Sequence, residues 1–74
     1  MACESQEAGY NAAEADYLSK KAARKSAKEK YEDNPTPVNL AALMAAMMLE
    51  TSALAVKNAA YAVWQNCLMG SGGV

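Results

Sequence analysis

The sequence predicts an all-α fold, a single antiparallel hairpin of two long helices over residues 1–74, and three features of the chain lead there. From Glu4 to Asp33 the residues are mostly helix formers and include no proline. Asn34-Pro35-Thr36-Pro37 then interrupts any helix, because each proline lacks an amide proton and pushes the residue before it out of the helical region. Finally, charge is segregated: thirteen of the fifteen charged side chains lie in residues 1–33, and only Glu50 and Lys57 lie beyond them.

Helix one is expected at about 10–33, with a ragged start because Gly9 weakens the first turns. Alanines at 8, 12, 13, 15, 22, 23 and 27 favour it. Its acids (Glu4, Glu7, Glu14, Asp16) precede its bases (Lys20, Lys21, Arg24, Lys25, Lys28, Lys30), the order that suits the helix dipole. The turn occupies 34–37, with Thr36 as N-cap and Pro37 at the first helical position, where its missing donor costs nothing. So short a connection makes the helices antiparallel neighbours. Helix two follows at about 38–69, and Gly70-Ser71-Gly72-Gly73 ends it in a tail at 70–74 that is expected to be flexible, as are the first residues. At 1.5 Å per residue the hairpin is roughly 35–50 Å long.

Hydrophobic periodicity sets the expected packing. In helix two a heptad series runs Leu40, Met47, Leu54, Tyr61, Leu68, thickened by Leu43, Met44 and Trp64. A second series, Leu49, Val56, Val63, lies about a quarter turn or more away and needs cover of its own. Helix one offers Tyr10, Tyr17, Arg24 and Tyr31 as one line and Ala8, Ala12, Ala15, Ser19, Ala22, Ser26 as a small-residue seam; that seam is expected to face helix two. One partner helix cannot cover both apolar series, so the surplus calls for other chains. The expected assembly interface is therefore Leu40, Leu43, Met47, Leu49 and Leu54, continued by Val56, Tyr61, Val63, Trp64 and Leu68.

Composition narrows the function classes. With a net charge of −1, attraction to nucleic acid is weak, and the basic run Lys20–Lys30 is diluted by Glu29, Glu32 and Asp33 and reads as a solvated face. The chain has no histidine, no phosphate-cradling loop and no cluster around a nucleophile, so neither an enzyme nor a cofactor, metal or small-molecule substrate is expected. Cys3 and Cys67 lie near opposite ends of the chain. A hairpin brings those ends together, so a disulfide is sterically open, but two ordinary thiols in a reducing compartment are the expectation. The methionines between Met44 and Met69 read as core filling ahead of an adaptable groove. No transmembrane span is expected, since Val38–Leu49 provides about twelve mainly apolar residues before Glu50, Thr51 and Ser52, against the roughly 20 that a bilayer requires. The acidic N-terminus lacks the basic start and apolar run of a cleaved signal peptide.

The bend Asn34-Pro35-Thr36-Pro37, followed by Leu40-Ala41-Ala42-Leu43-Met44 and a helix running almost to the end, resembles the needle-filament subunits of bacterial type III secretion systems over residues 20–69. The resemblance implies a secreted or cell-surface protein exported without a cleaved signal and stacked helically with copies of itself around a conduit. It also implies a channel face of Glu50, Thr51, Lys57, Asn58 and Gln65, with the apolar series joining neighbouring subunits. An alternative from another class is a small cytoplasmic chaperone or accessory subunit whose Leu49, Val56, Val63 face shields an apolar helix of a partner protein. A helix pair lying on membranes ranks last, because only Lys57 flanks the apolar stripe with positive charge.

Overall fold

The computed structural model describes residues 3–70. Two helices, α1 (Glu4–Asp33) and α2 (Pro37–Gly70), pack antiparallel along their whole length, giving the all-α hairpin expected. The molecule is a rod of 56 × 14 × 12 Å with a radius of gyration of 16.8 Å, where a compact globule of the same length would have about 11 Å. Its accessible surface is 5160 Å², above the roughly 4400 Å² usual for a compact monomer of this mass. Helix α1 starts at Glu4, ahead of residue 10, and runs through Gly9, which is exposed and has nothing nearby to displace it. Residues 1–2 and 71–74, on which most of the expected terminal flexibility falls, lie outside the described residues.

The turn is built as the sequence suggests and has one further brace. Thr36 Oγ1 accepts from the Asn39 amide at 3.2 Å, capping α2, and Asn34 caps α1 in an extended conformation with its amide donating to Lys30 O at 3.0 Å. The Asn39 side chain reaches back to donate to Asn34 O at 2.7 Å and Lys30 O at 3.3 Å. A single carboxamide thus adds a second donor to two carbonyls that already accept from the Asn34 and Thr36 amides, and so ties the start of α2 to the end of α1.

The seam between the helices follows a strict alternation of three and four residues. Along α1 and its N-cap the less exposed positions in this register are Cys3, Gln6, Tyr10, Ala13, Tyr17, then Lys20, Arg24, Ala27 and Tyr31, and along α2 and its N-cap they are Thr36, Asn39, Leu43, Ala46, Glu50, then Ala53, Lys57, Ala60, Trp64 and Cys67; Glu14, Lys21 and Gln65 are half-buried at the margins of the seam. Ala8, Ala12, Ala15, Ser19, Ala22 and Ser26 are all exposed, which corrects the expectation that they face α2. The small-residue seam belongs to α2 instead. Ala46, Ala53 and Ala60, one per heptad, let α1 approach closely, and the long side chains of Tyr10, Tyr17, Arg24 and Tyr31 fill the space alongside. Ala53, at 5% exposure, is the one buried residue among those described.

A second correction concerns the cysteines. Cys3 and Cys67 are joined in a disulfide with Cα atoms 5.9 Å apart, closing the open end of the hairpin opposite the turn. Their positions at the same end of the seam make this possible. The bridge also compensates for a seam with a single buried residue, because it ties residues 64 apart in sequence and so restricts the unfolded chain.

Candidate functional site

Polar side chains occupy the middle of the seam. Arg24 Nε lies 2.8 Å from Glu50 Oε1, with side chains 24% and 18% exposed, although the N–H does not align with the carboxylate as a hydrogen bond. One heptad further along α2, the Lys57 ammonium sits over the Tyr17 ring, 4.9 Å from its centroid. Glu50 and Lys57, both expected at a channel face, therefore lie against α1, which supplies the opposite charge and the ring that a half-buried ion requires. Of the other expected channel residues, Thr51 and Asn58 are exposed and Gln65 is half-buried. Thr51 Oγ1 donates back to Met47 O at 2.9 Å.

Towards the disulfide end the seam turns aromatic. Tyr10 stacks on Trp64 with centroids 5.5 Å apart, Tyr61 meets Tyr10 edge-on at 5.4 Å, and Tyr61 meets Trp64 edge-on at 6.2 Å. The Tyr10 hydroxyl donates to Glu14 Oε2 at 3.2 Å. Loss of solvent around the phenol, then the negative charge of Glu14 and the hydrogen bond to it, hold Tyr10 above the ordinary phenol pKa. Nearby, Gln6 Oε1 is buried without a hydrogen-bond partner.

The apolar series of α2 flank this seam on its outer sides, with Tyr61 also reaching its aromatic end. Among the described residues, twelve of the thirteen exposed large hydrophobic side chains are on α2. Among the expected interface residues, Leu40, Met47, Leu54, Tyr61 and Leu68 form one exposed stripe, and Leu49, Val56 and Val63 form another. Leu43 and Trp64 are half-buried against α1. Because Met47 and Leu49 are two residues apart, the stripes are separated by about 160° around the helix, one on each side of the seam. Met44, Met47 and Met48, with Thr51 and Ser52, line an open depression of ≈ 490 Å³, which corrects the reading of these methionines as core.

The expectation of no transmembrane span is overturned as well. Helix α2 runs unbroken for 34 residues and is long and apolar enough, by length and composition, to cross a membrane. Glu50, Thr51 and Ser52 do not divide it: Glu50 is the lone charge between Val38 and Val56, and the alanines on both sides keep the average apolar. A core helix of a soluble protein passes the same test but is mostly buried, whereas only 6% of the qualifying stretch is buried here. Comparison with protein-family models, curated proteins and solved structures yields no match.

Proposed function

We propose that the chain is a structural subunit that self-assembles into a filament by stacking hairpins through the two outward stripes of α2. The observation carrying this reading is their placement on opposite sides of the seam. A closed two-fold dimer buries one stripe on both copies and leaves the other wet. Stacking the Leu40–Leu68 stripe of one copy on the Leu49–Val63 stripe of the next buries both, and such a head-to-tail contact propagates. Each fully covered Leu, Val or Met contributes about 1.5–3 kcal/mol, so eight side chains per contact suffice to oppose the entropy of association. The needle-subunit resemblance agrees with a filament, although Glu50 and Lys57, two of the channel residues it implies, pack against α1 in the single hairpin. A disulfide persists in oxidising surroundings, which supports a secreted or cell-surface location.

Sedimentation and electron microscopy of the oxidised chain over a concentration series test the reading. Concentration-dependent polymers are expected; a monomer at the highest soluble concentration overturns it. One-to-one complexes with an apolar partner helix, without self-association, would point to the chaperone alternative.

The apolar length of α2 favours a second reading, entry into a bilayer. The hairpin is covalently closed at both ends, by the turn and by Cys3–Cys67. If α2 crossed while the bridge was intact, α1 would cross beside it with its thirteen charged residues, each costing roughly 2.5–3.5 kcal/mol at the bilayer centre. Under this reading, insertion into lipid vesicles appears only after the bridge is reduced, and vesicle flotation with and without a dithiol reductant measures it.

A further inference from the structure

We propose that Met44, Met47 and Met48 form a binding site for Cu(I), a soft monovalent cation, on the outward face of α2. Their spacing of i, i+3 and i+4 places three thioethers on one helix surface, and all three line the same depression of ≈ 490 Å³. The usual work of methionine is to fill irregular gaps in a core. That role is unavailable here, because the three are 56%, 48% and 71% exposed. Helix formation does not require them either, since leucine is about as favourable. What three methionines have that three leucines lack is sulfur lone pairs.

The chemistry of the lining selects the ion. No carboxylate, imidazole or thiolate borders the depression, and the described residues contain no group of three or more His, Cys, Asp or Glu that could hold a metal. Zn²⁺, Mg²⁺, Ca²⁺ and Cu²⁺ therefore find only the neutral hydroxyls of Thr51 and Ser52 in place of the carboxylate, imidazole or thiolate donors they prefer, whereas neutral thioethers suit Cu(I). A single positive charge is also less costly to strip of water than a double one. Three rotatable bonds per side chain let the sulfurs turn toward a common point. The Thr51 hydroxyl donates its proton to Met47 O and so does not occupy a sulfur lone pair. With Cys3 and Cys67 paired to each other, no thiolate competes for the ion.

The site stands apart from the assembly reading, because binding is measured on the dilute chain. The oxidised full-length protein is titrated with Ag(I), a redox-inert soft probe, and then with Cu(I) kept reduced by ascorbate in competition with a chromogenic chelator. Methionine methyl resonances are followed by NMR. We expect saturation at one equivalent, with shifts of the Met44, Met47 and Met48 methyls and none at Met69. The Met44→Leu, Met47→Leu, Met48→Leu triple variant should keep its helicity and its disulfide and bind at least tenfold more weakly. Absence of saturable uptake by the unaltered chain, equal uptake by the triple variant, or shifts centred on Met69 would each overturn the proposal. Uptake without polymers at high concentration would remove the filament reading alone.

Discussion

Arg24 and Glu50 meet 2.8 Å apart halfway along the hairpin, each about three-quarters or more covered, so the pair lies inside the helix–helix seam where a channel-facing carboxylate was expected. A pair in this position is neither a solvated surface ion pair, worth at most about 1 kcal/mol, nor a deeply buried one. It adds to the short turn and the Cys3–Cys67 bridge in holding the register of α1 against α2.

Removing one partner should therefore cost more than removing both. Glu50→Leu or Arg24→Leu alone is expected to destabilise the oxidised hairpin by about 1–2 kcal/mol, since each strands a half-buried charge. The double variant Arg24→Leu, Glu50→Leu should recover to within about 1 kcal/mol of the original. Thermal denaturation followed by circular dichroism closes the cycle, and strictly additive losses would show that the two residues do not couple.

Opening the disulfide should loosen the fold sharply. A bridge across 64 residues contributes about 4 kcal/mol in the chain-entropy model, which is most of what so small a seam can supply. Reduction, or Cys67→Ser, is expected to lower the melting temperature and to separate Tyr10 from Trp64, changing the emission of the chain's single tryptophan. Identical melts with and without a dithiol reductant would contradict this.

The two stripes of α2 can be tested one at a time. Leu49→Asp and Val56→Asp each place a charge on one stripe, and Leu54→Asp places one on the other; all three positions are exposed in the hairpin, so helicity should survive. In head-to-tail stacking every contact uses both stripes, hence any one of the three should abolish polymerisation. Persistence of dimers in the Leu49→Asp chain would indicate a symmetric contact through the Leu54 stripe.

Alkaline pH should weaken the aromatic end. Because Tyr10 is held above the ordinary phenol value of 10.0, the folded state keeps its proton more tightly than the unfolded chain does. The stability this represents is complete below pH 10 and is lost as pH rises through the folded pKa. Tyr10→Phe should remove that part of the alkaline transition, as read by melting temperature against pH; an unchanged profile would assign the transition to other groups.

Much of the hairpin was legible because its causes are local. Pro35 and Pro37 prevent one continuous helix from running through residues 34–37, while Pro37 is tolerated as the first residue of α2 and Thr36 caps that helix from the adjacent position. The inner face was less legible, because heptad counting on α2 favoured the largest side chains, whereas the seam uses Ala46, Ala53 and Ala60. Leu40, Met47 and Leu54 have the right spacing for a core but would hold the helices apart. Asn39 was overlooked because its brace depends on the end of a helix nine residues away. The methionine depression was ranked behind core filling because the sequence does not show that Met44, Met47 and Met48 lie outside the seam.

By itself the sequence determined two helices, the corner between them, their antiparallel order and a surplus of apolar surface on the second. Only the tertiary structure decided that Glu50 and Lys57 turn inward, that both leucine- and valine-bearing stripes turn outward, and that Cys3 reaches Cys67. Helix formation and termination depend on neighbours within a few residues, whereas the choice of inner face depends on how closely two backbones can approach, a property that neither helix has alone.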